Sequence, residues 1–225
     1  MKPKQITLKT NLLQFQNFSN LKSLWYELAS KYKAEAEVVE SHWVEIYKSY
    51  NSPKRYYHSL NHLEYMFEII APFKHLLKDS DAVYFSIWFH DIVYNSSKKN
   101  NEEQSAAKAS EILNKLNLPV KLITKVEQMI LATKSHMSMK SGDFDTHVLL
   151  DADLAILGSD KESYVAYSEA VRKEYGQYPD LLYNPGRKKV LQKFLQSEYI
   201  YKTEEMRNQL EAQAITNLSF ELNNL

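Results

Sequence analysis

The segment Phe85-Ser-Ile-Trp-Phe-His-Asp-Ile-Val-Tyr94 sets an imidazole and a carboxylate side by side, at His90 and Asp91, within a mostly apolar and aromatic stretch. Burying a carboxylate among such residues is costly unless it is paired or binds a metal ion. A metal ion would also account for two other polar motifs, His58-Ser-Leu-Asn-His62 and Asp151-Ala-Asp153. The segment therefore predicts a metal site inside a protein core.

Composition narrows the class of protein. The 225 residues include 28 Lys plus Arg and 28 Asp plus Glu, so the chain has no net charge that would favour extended nucleic acid or an anionic membrane. It contains no cysteine, which excludes disulfides and zinc–thiolate sites. No apolar run approaches the roughly 18–20 residues of a transmembrane helix, and the amino terminus lacks the apolar segment of a signal peptide. We expect a cytoplasmic protein without a membrane or extended nucleic-acid partner.

The distribution of apolar residues predicts helices. Only 4 Gly and 6 Pro occur, which argues against a turn-rich all-β protein. Apolar side chains recur every three or four residues along most of the chain, as in Leu21, Leu24, Trp25 and Leu28. We therefore expect an all-α, single-domain helical bundle over residues 1–225, with its core in about residues 20–220. A short strand pair near 144–150 is the alternative for that stretch, and Asn184-Pro-Gly-Arg187 is expected to be a turn.

The histidine motif has two interpretations. His58 and His62 are four residues apart, so a helix that begins near Tyr57 would present both on one face. They could then approach a metal ion, or they could be two polar residues on a solvated face. His90 and Asp91 are adjacent and would point about 100° apart on a helix, yet both can reach one ion at the end of the helix.

Asp151 and Asp153 flank Ala152 at an expected loop-to-helix junction. One aspartate could cap the helix and interact with its positive end. The other would then be free to bind a metal ion. Two imidazoles and two carboxylates form a mixed nitrogen and oxygen site that suits the divalent transition metals Mn, Fe, Co, Ni or Zn, with Mg as an alternative. Calcium would prefer oxygen ligands alone.

Six motifs in a fixed order resemble the HD-domain superfamily of metal-dependent phosphohydrolases, and in particular the predicted HD phosphohydrolases of bacteria. The resemblance covers roughly residues 20 to 220. The motifs are Arg55-Tyr-Tyr-His-Ser-Leu-Asn-His-Leu-Glu64, Trp88-Phe-His-Asp-Ile-Val-Tyr94, Asn101-Glu-Glu-Gln-Ser-Ala106, Ile130-Leu-Ala-Thr-Lys-Ser-His136, Leu150-Asp-Ala-Asp-Leu-Ala-Ile-Leu-Gly158 and Tyr183-Asn-Pro-Gly-Arg-Lys-Lys-Val-Leu191.

The resemblance implies a set of metal ligands. They are His62, His90, Asp91 and Asp153, and Asp151 is the alternative to Asp153 if it is not a cap. His58 would then lie next to the metal site or face the substrate.

Four further residues are candidates for catalysis. Glu102 and Glu103 are expected in the first turn of a helix, where the dipole alone favours carboxylates, but one of them could act as a base or orient a metal-bound water. Lys134 and His136 are expected to end an apolar helix, where the dipole favours cations, and the resemblance implies contact with phosphate or a second metal. Many HD phosphohydrolases carry an acidic residue soon after the His-Asp pair. Here the segment Ile92-Val-Tyr-Asn95 follows instead, so the general acid or base stays undetermined.

The resemblance implies hydrolysis of a small phosphorylated substrate, with nucleotides the favoured class. In such a reaction a metal ion lowers the pKa of bound water and polarises phosphoryl oxygens, while basic residues offset the charge of the transferred group. The alternative is a regulatory module that binds a metal ion or nucleotide without turnover.

Overall fold

The computed structural model describes residues 19–134 and 143–225. Within these two ranges the chain forms ten α-helices and no β-strand, so the all-α expectation is confirmed, while the HD type remains a prediction. The helices are α1 Ser19–Ala29, α2 Ala36–Tyr50, α3 Leu60–Ile70, α4 Ser80–Phe89, α5 Asn101–Lys115, α6 Val120–Thr133, α7 Phe144–Leu154, α8 Lys161–Glu174, α9 Asp180–Leu195 and α10 Glu204–Asn224.

Side-chain caps fix where several helices begin. Asp79 accepts a hydrogen bond from the Ala82 N–H at the start of α4, and Asp143 accepts one from the Thr146 N–H at the start of α7. Asp160 and Thr203 cap α8 and α10 in the same way. Each cap satisfies a backbone donor that has no partner within the helix, which stabilises it by about 1 kcal/mol.

One connected hydrophobic core receives residues from all ten helices. At its centre the Trp25 ring meets Phe85, Trp88 and Phe89 edge to face, with ring centroids 6.3, 5.8 and 5.9 Å away. Helix α4 packs against α3, α5, α6 and α7 and buries nearly every residue from Ala82 to Phe89. His90 therefore follows one of the most deeply buried helices of the protein.

The structure corrects the expected start of the histidine helix. Helix α3 begins at Leu60, so His58 precedes it and does not share a helix face with His62. The reason is a tertiary contact: the carboxylate of Glu174 accepts the backbone N–H groups of Tyr56, Tyr57 and His58. These amides are satisfied by a distant side chain rather than by a helical turn.

Three further local expectations are wrong. Asp151 and Asp153 lie within the last part of α7, not at a loop-to-helix junction, and the strand pair near 144–150 is replaced by the same helix. The expected turn at 184–187 lies inside α9, which contains Pro185. Proline lacks the N–H that would bond to the carbonyl four residues earlier. That carbonyl belongs to Leu181, which is 85% exposed, so water can replace the missing donor.

Candidate metal centre

Three helices bring a histidine, a second histidine and an aspartate together. His62 lies in the first turn of α3, His90 directly follows α4, and Asp153 lies near the end of α7. Helices α3, α4 and α7 all pack against one another, so these positions converge. The three residues each offer one ligand atom, and these atoms lie within 4.8 Å of one another.

The distances inside this cluster are short. His62 Nε2 lies 3.2 Å from His90 Nε2 and 3.1 Å from Asp153 Oδ1. His90 Nε2 lies 3.7 Å from the same Asp153 oxygen. Both histidines are almost completely buried. Two imidazole nitrogens thus converge on one carboxylate oxygen, an arrangement in which a cation can interact with all three.

A backbone hydrogen bond orients His90. Its Nδ1 donates to the carbonyl oxygen of Ile87 at 2.9 Å. In a neutral ring with this tautomer, Nε2 carries the lone pair and faces the cluster. Histidines that bind metals commonly have the other ring nitrogen fixed by such a bond. His62 lacks this support, because its buried Nδ1 has no hydrogen-bond partner among the described residues.

Asp91 flanks the cluster without belonging to the group of three. Its Oδ2 lies 3.2 Å from His90 Nε2 and 3.8 Å from His58 Nε2. Its backbone is held as well, since the N–H donates to the Tyr50 hydroxyl and the carbonyl accepts from Arg55. The structure therefore groups three of the four expected ligands tightly. The fourth, Asp91, lies beside Nε2 of His90, which belongs to that group.

The electrostatics of the cluster favour a bound cation. Burial lowers the pKa of His62. Burial also opposes the charged form of His90, but Asp91 and Asp153 outweigh it and raise the pKa of His90 to about 9. Despite its burial, the neighbouring His90 and His58 hold the pKa of Asp91 well below its usual value. The carboxylates thus require positive charge, which a proton or a divalent cation can supply, and the donor set fits a transition metal.

Asp151 makes a different set of contacts. It is completely buried, and its carboxylate accepts hydrogen bonds from Lys202 N at 2.6 Å, Thr203 N at 2.7 Å and Thr203 Oγ1 at 2.7 Å. Burial raises the pKa of Asp151 to about 6 in spite of these three donors. Because Thr203 caps α10, Asp151 supports the start of that helix rather than the start of its own.

Glu174, at the end of α8, is a site residue that sequence reasoning missed. Its Oε2 lies 2.6 Å from His58 Nδ1 and accepts the Tyr94 hydroxyl at 2.9 Å. Burial opposes its ionisation, but His58 and the backbone donors lower the pKa of Glu174 to about 2. Burial opposes the charged form of His58 too, while Asp91 and Glu174 raise its pKa. No sequence motif marks Glu174, because its partners lie more than 70 residues away.

Arg55 opens the first of the six motifs, but the motifs assign it no role at the site. Its guanidinium donates to the carbonyl oxygens of His58, Asp91 and Ile92 at 3.2, 2.6 and 2.9 Å. It also lies over the rings of Tyr50 and Tyr94, with its carbon 4.9 and 5.5 Å from their centroids. Arg55 therefore ties the segment before α3 to the segment after α4.

The remaining candidate catalytic residues differ in how exposed their side chains are and in what they contact. Glu103 forms an ion pair with Lys134 in which both side chains are about half exposed, and Lys134 also donates to the carbonyl of Lys99. Glu102, in contrast, lines a cavity beside Asp91 and Asp153. His136 lies outside the described residues, so its predicted role stays a prediction.

That cavity has a volume of about 620 Å³, within the range of small-molecule sites. Besides the acidic residues it is lined by His58, Lys98 and Arg187, the last of which is bound to Glu221 at 2.7 and 2.9 Å. Six tyrosines also line it: Tyr57, Tyr94, Tyr167, Tyr175, Tyr178 and Tyr183. Polar groups from the cluster and aromatic surfaces therefore meet in one cavity.

Comparison of the chain with known protein families, with curated proteins and with solved structures found no match. The resemblance to HD phosphohydrolases therefore stays a prediction from the six sequence motifs. In the described part of the chain, no helix combines the length and the apolar character needed to cross a membrane.

Proposed function

We propose that this protein is a metal-dependent phosphohydrolase of the HD type, acting on a small phosphorylated substrate of which a nucleotide is the favoured class. The main support is the convergence of His62, His90 and Asp153 from three separate helices, with their ligand atoms within 4.8 Å of one another. Asp153 also lines the cavity of about 620 Å³, so a bound ion and a small substrate could meet there.

In this proposal His62, His90, Asp91 and Asp153 hold a divalent transition metal. Such an ion supplies a bound water of lowered pKa and polarises phosphoryl oxygens. The chain's own residues bind and orient the substrate. His58 and Lys98 offer positive charge to phosphate, and the tyrosine rings offer flat surfaces on which a nucleobase can pack.

The two adjacent glutamates differ as candidates for the proton acceptor. Glu103 is already bound to Lys134 at the surface, whereas Glu102 lines the same cavity as Asp91 and Asp153. We therefore assign the role of base or water-orienting group to Glu102. Lys134 serves as the partner of Glu103 in this assignment.

The test is a screen of nucleotides and sugar phosphates with the purified protein and added Mn²⁺ or Co²⁺. We expect release of phosphate, pyrophosphate or a nucleoside, which stops on chelation and returns when metal is restored. Asp153→Asn should abolish turnover, and Asp151→Asn is the matched control that should retain it. Saturable binding of these compounds without metal-dependent product between pH 6 and 9 would support the regulatory module and contradict the enzyme.

A further inference from the structure

The described part of the chain contains three glycines, and two of them have a structural reason. A Cβ added at Gly158 would lie 2.6 Å from Leu210 Cβ, and one added at Gly176 would lie 3.0 Å from the carbonyl oxygen of Lys173. A Cβ added at Gly186 would meet no atom of the described residues within 4 Å. Gly186 also has no positive φ. Neither crowding nor backbone conformation therefore requires a glycine at this position.

Gly186 is an unfavourable residue for its place in the helix. It is the seventh residue of α9, Asp180–Leu195, and so lies in the helix interior. Glycine loses more conformational entropy on folding than alanine does, and it destabilises the interior of a helix. Proteins accept such a cost where the backbone must come close to a ligand.

The open side of Gly186 faces the large cavity. Leu182 and Val190 lie about one helical turn before and after it, so the three residues share one face of α9. All three line the cavity of about 620 Å³. Leu182 is 62% exposed and Val190 is 45% exposed, so both apolar side chains are open to the cavity. This wall of the cavity is therefore apolar on both sides and bare backbone in the middle.

Tyrosine rings adjoin the wall. Tyr183 lies three residues before Gly186 on α9, and its ring centroid is 5.8 Å from that of Tyr175. The Tyr175 centroid is in turn 6.2 Å from that of Tyr178, and all three tyrosines line the cavity. A flat group can pack against such a surface, and every nucleobase has a flat face that stacks on aromatic rings.

The wall lies close enough to the candidate metal centre for one molecule to contact both. The His62 and Tyr57 ring centroids are 4.8 Å apart, and those of Tyr57 and Tyr167 are 4.6 Å apart. The guanidinium carbon of Arg187, the neighbour of Gly186, lies 5.4 Å from the Tyr167 centroid. Three successive contacts thus connect the metal centre with α9, and Tyr57, Tyr167 and Arg187 all line the same cavity.

We propose that Gly186 determines substrate specificity: the nucleobase of a nucleotide whose phosphate lies at the candidate metal centre packs on the bare backbone of α9 at this residue. This inference rests on the proposed function and adds the place where the base binds. It implies that the site prefers a nucleotide to the sugar phosphate that lacks the base. It also implies that a side chain at position 186 removes this preference.

The experiment compares wild type with Gly186→Ala, Gly186→Leu and Gln192→Leu, each loaded with Mn²⁺. Alanine and leucine are strong helix formers, so these changes do not weaken α9. Gln192→Leu is the matched control, because Gln192 is exposed on the same helix and does not line the cavity. Calorimetry measures the affinities for adenosine monophosphate and ribose 5-phosphate, which differ only in the base. Metal content and urea unfolding are measured on the same samples.

Wild type should bind adenosine monophosphate at least about tenfold more tightly than ribose 5-phosphate, because stacking favours the base. Gly186→Leu should remove most of this preference and leave the affinity for ribose 5-phosphate unchanged, since the added side chain occupies the space of the base. Gly186→Ala should reduce the preference by less. Both variants should keep their metal and unfold at higher urea than wild type, and Gln192→Leu should keep the wild-type preference.

Three results would overturn the inference. The first is equal affinity of wild type for the two compounds. The second is a preference that survives Gly186→Leu, and the third is a loss of affinity for both compounds alike in that variant. If Gly186→Leu does not fold, Gly186→Ala decides, since an unchanged preference in that variant overturns the inference.

Turnover tests the proposed function separately. Hydrolysis of a nucleotide by wild type that is insensitive to substitution at position 186 overturns the inference and leaves the function standing. Binding of adenosine monophosphate that Gly186→Leu weakens, without turnover of any substrate, supports the inference and removes the hydrolase. If wild type binds neither compound, the inference fails, and the function fails with it only if no substrate is turned over.

Discussion

Asp151 and Asp153 lie two residues apart on α7, yet they belong to different parts of the molecule. Asp153 Oδ1 faces the imidazoles of His62 and His90. Asp151 accepts two backbone N–H groups and a hydroxyl at the start of α10. Side chains two residues apart on a helix point about 200° away from each other, so the two carboxylates cannot serve one site equally. What surrounds each side chain, rather than its place in the motif, separates a candidate ligand from a structural anchor.

Two more buried carboxylates extend the comparison. Asp145, at the other end of α7, accepts the N–H groups of Lys78 and Asp79 and binds Lys125, so it is an anchor like Asp151. Glu174 combines both kinds of contact, since one oxygen holds backbone and the other faces an imidazole. Buried carboxylates in this protein therefore range from anchors of backbone N–H groups to groups that contact histidines, and each kind predicts a different response to mutation.

The largest effect is expected at Asp153. Removing a partner that merely orients a metal ligand typically costs 10–100-fold in affinity, so Asp153→Ala, which removes a proposed ligand, should weaken metal binding by at least about 100-fold. The helical circular dichroism should remain largely intact, because the Asp153 side chain is not completely buried. Metal content after dialysis measures the effect. Full retention of metal would show that Asp153 is not a ligand and that its role is structural, like that of Asp151.

Glu174 should make stability depend on pH. Its pKa of about 2 in the folded protein lies below the ordinary value of 4.5. Its contribution is therefore present above about pH 4.5 and is lost as the pH falls toward 2, and the shift corresponds to about 3 kcal/mol. The free-energy difference between wild type and Glu174→Gln, from urea unfolding, should shrink between pH 5 and pH 3. A difference that stays constant over this range would contradict the ionised, hydrogen-bonded carboxylate.

Asp151→Asn should lower stability without releasing metal. Asparagine keeps one acceptor oxygen, but its amide group meets N–H donors of Lys202 and Thr203. Unsatisfied buried donors cost stability, whereas removing a buried charge offsets part of that loss, so we expect about 1–2 kcal/mol at pH 7. Urea unfolding and metal content are measured on the same sample. Loss of the metal with unchanged stability would reverse the assignments of Asp151 and Asp153.

The smallest effect is expected for the exposed carboxylate of Glu103. Exposed ion pairs contribute little to stability, since water screens them. Glu103→Ala should therefore leave the unfolding midpoint and the metal content unchanged, while Glu102→Ala should lower turnover because Glu102 lines the cavity. A loss of turnover confined to Glu103→Ala would exchange the two roles.

Helical periodicity was sufficient to predict the class of fold, because spacings of three and four residues are set by the geometry of a single helix. It was insufficient at two places, where the surroundings of the segment rather than its local pattern decide the structure. The backbone at Tyr57 bonds to Glu174 instead of starting a helix. Residues 184–187 remain helical although they contain Pro185 and Gly186, in a helix whose Leu181, the residue that loses its backbone donor, is 85% exposed.

For the site, the sequence by itself determined which residue types are available: with no cysteine, a metal site must use histidine, carboxylate or other oxygen ligands. The apolar setting of His90 and Asp91 also follows from the sequence alone. Only the tertiary structure decided that Asp153 rather than Asp151 faces His62, and that Glu174 and Arg55 hold the neighbouring segments. The placement of these side chains depends on contacts between residues that are tens of positions apart in the sequence. Local periodicity carries no information about such long-range contacts.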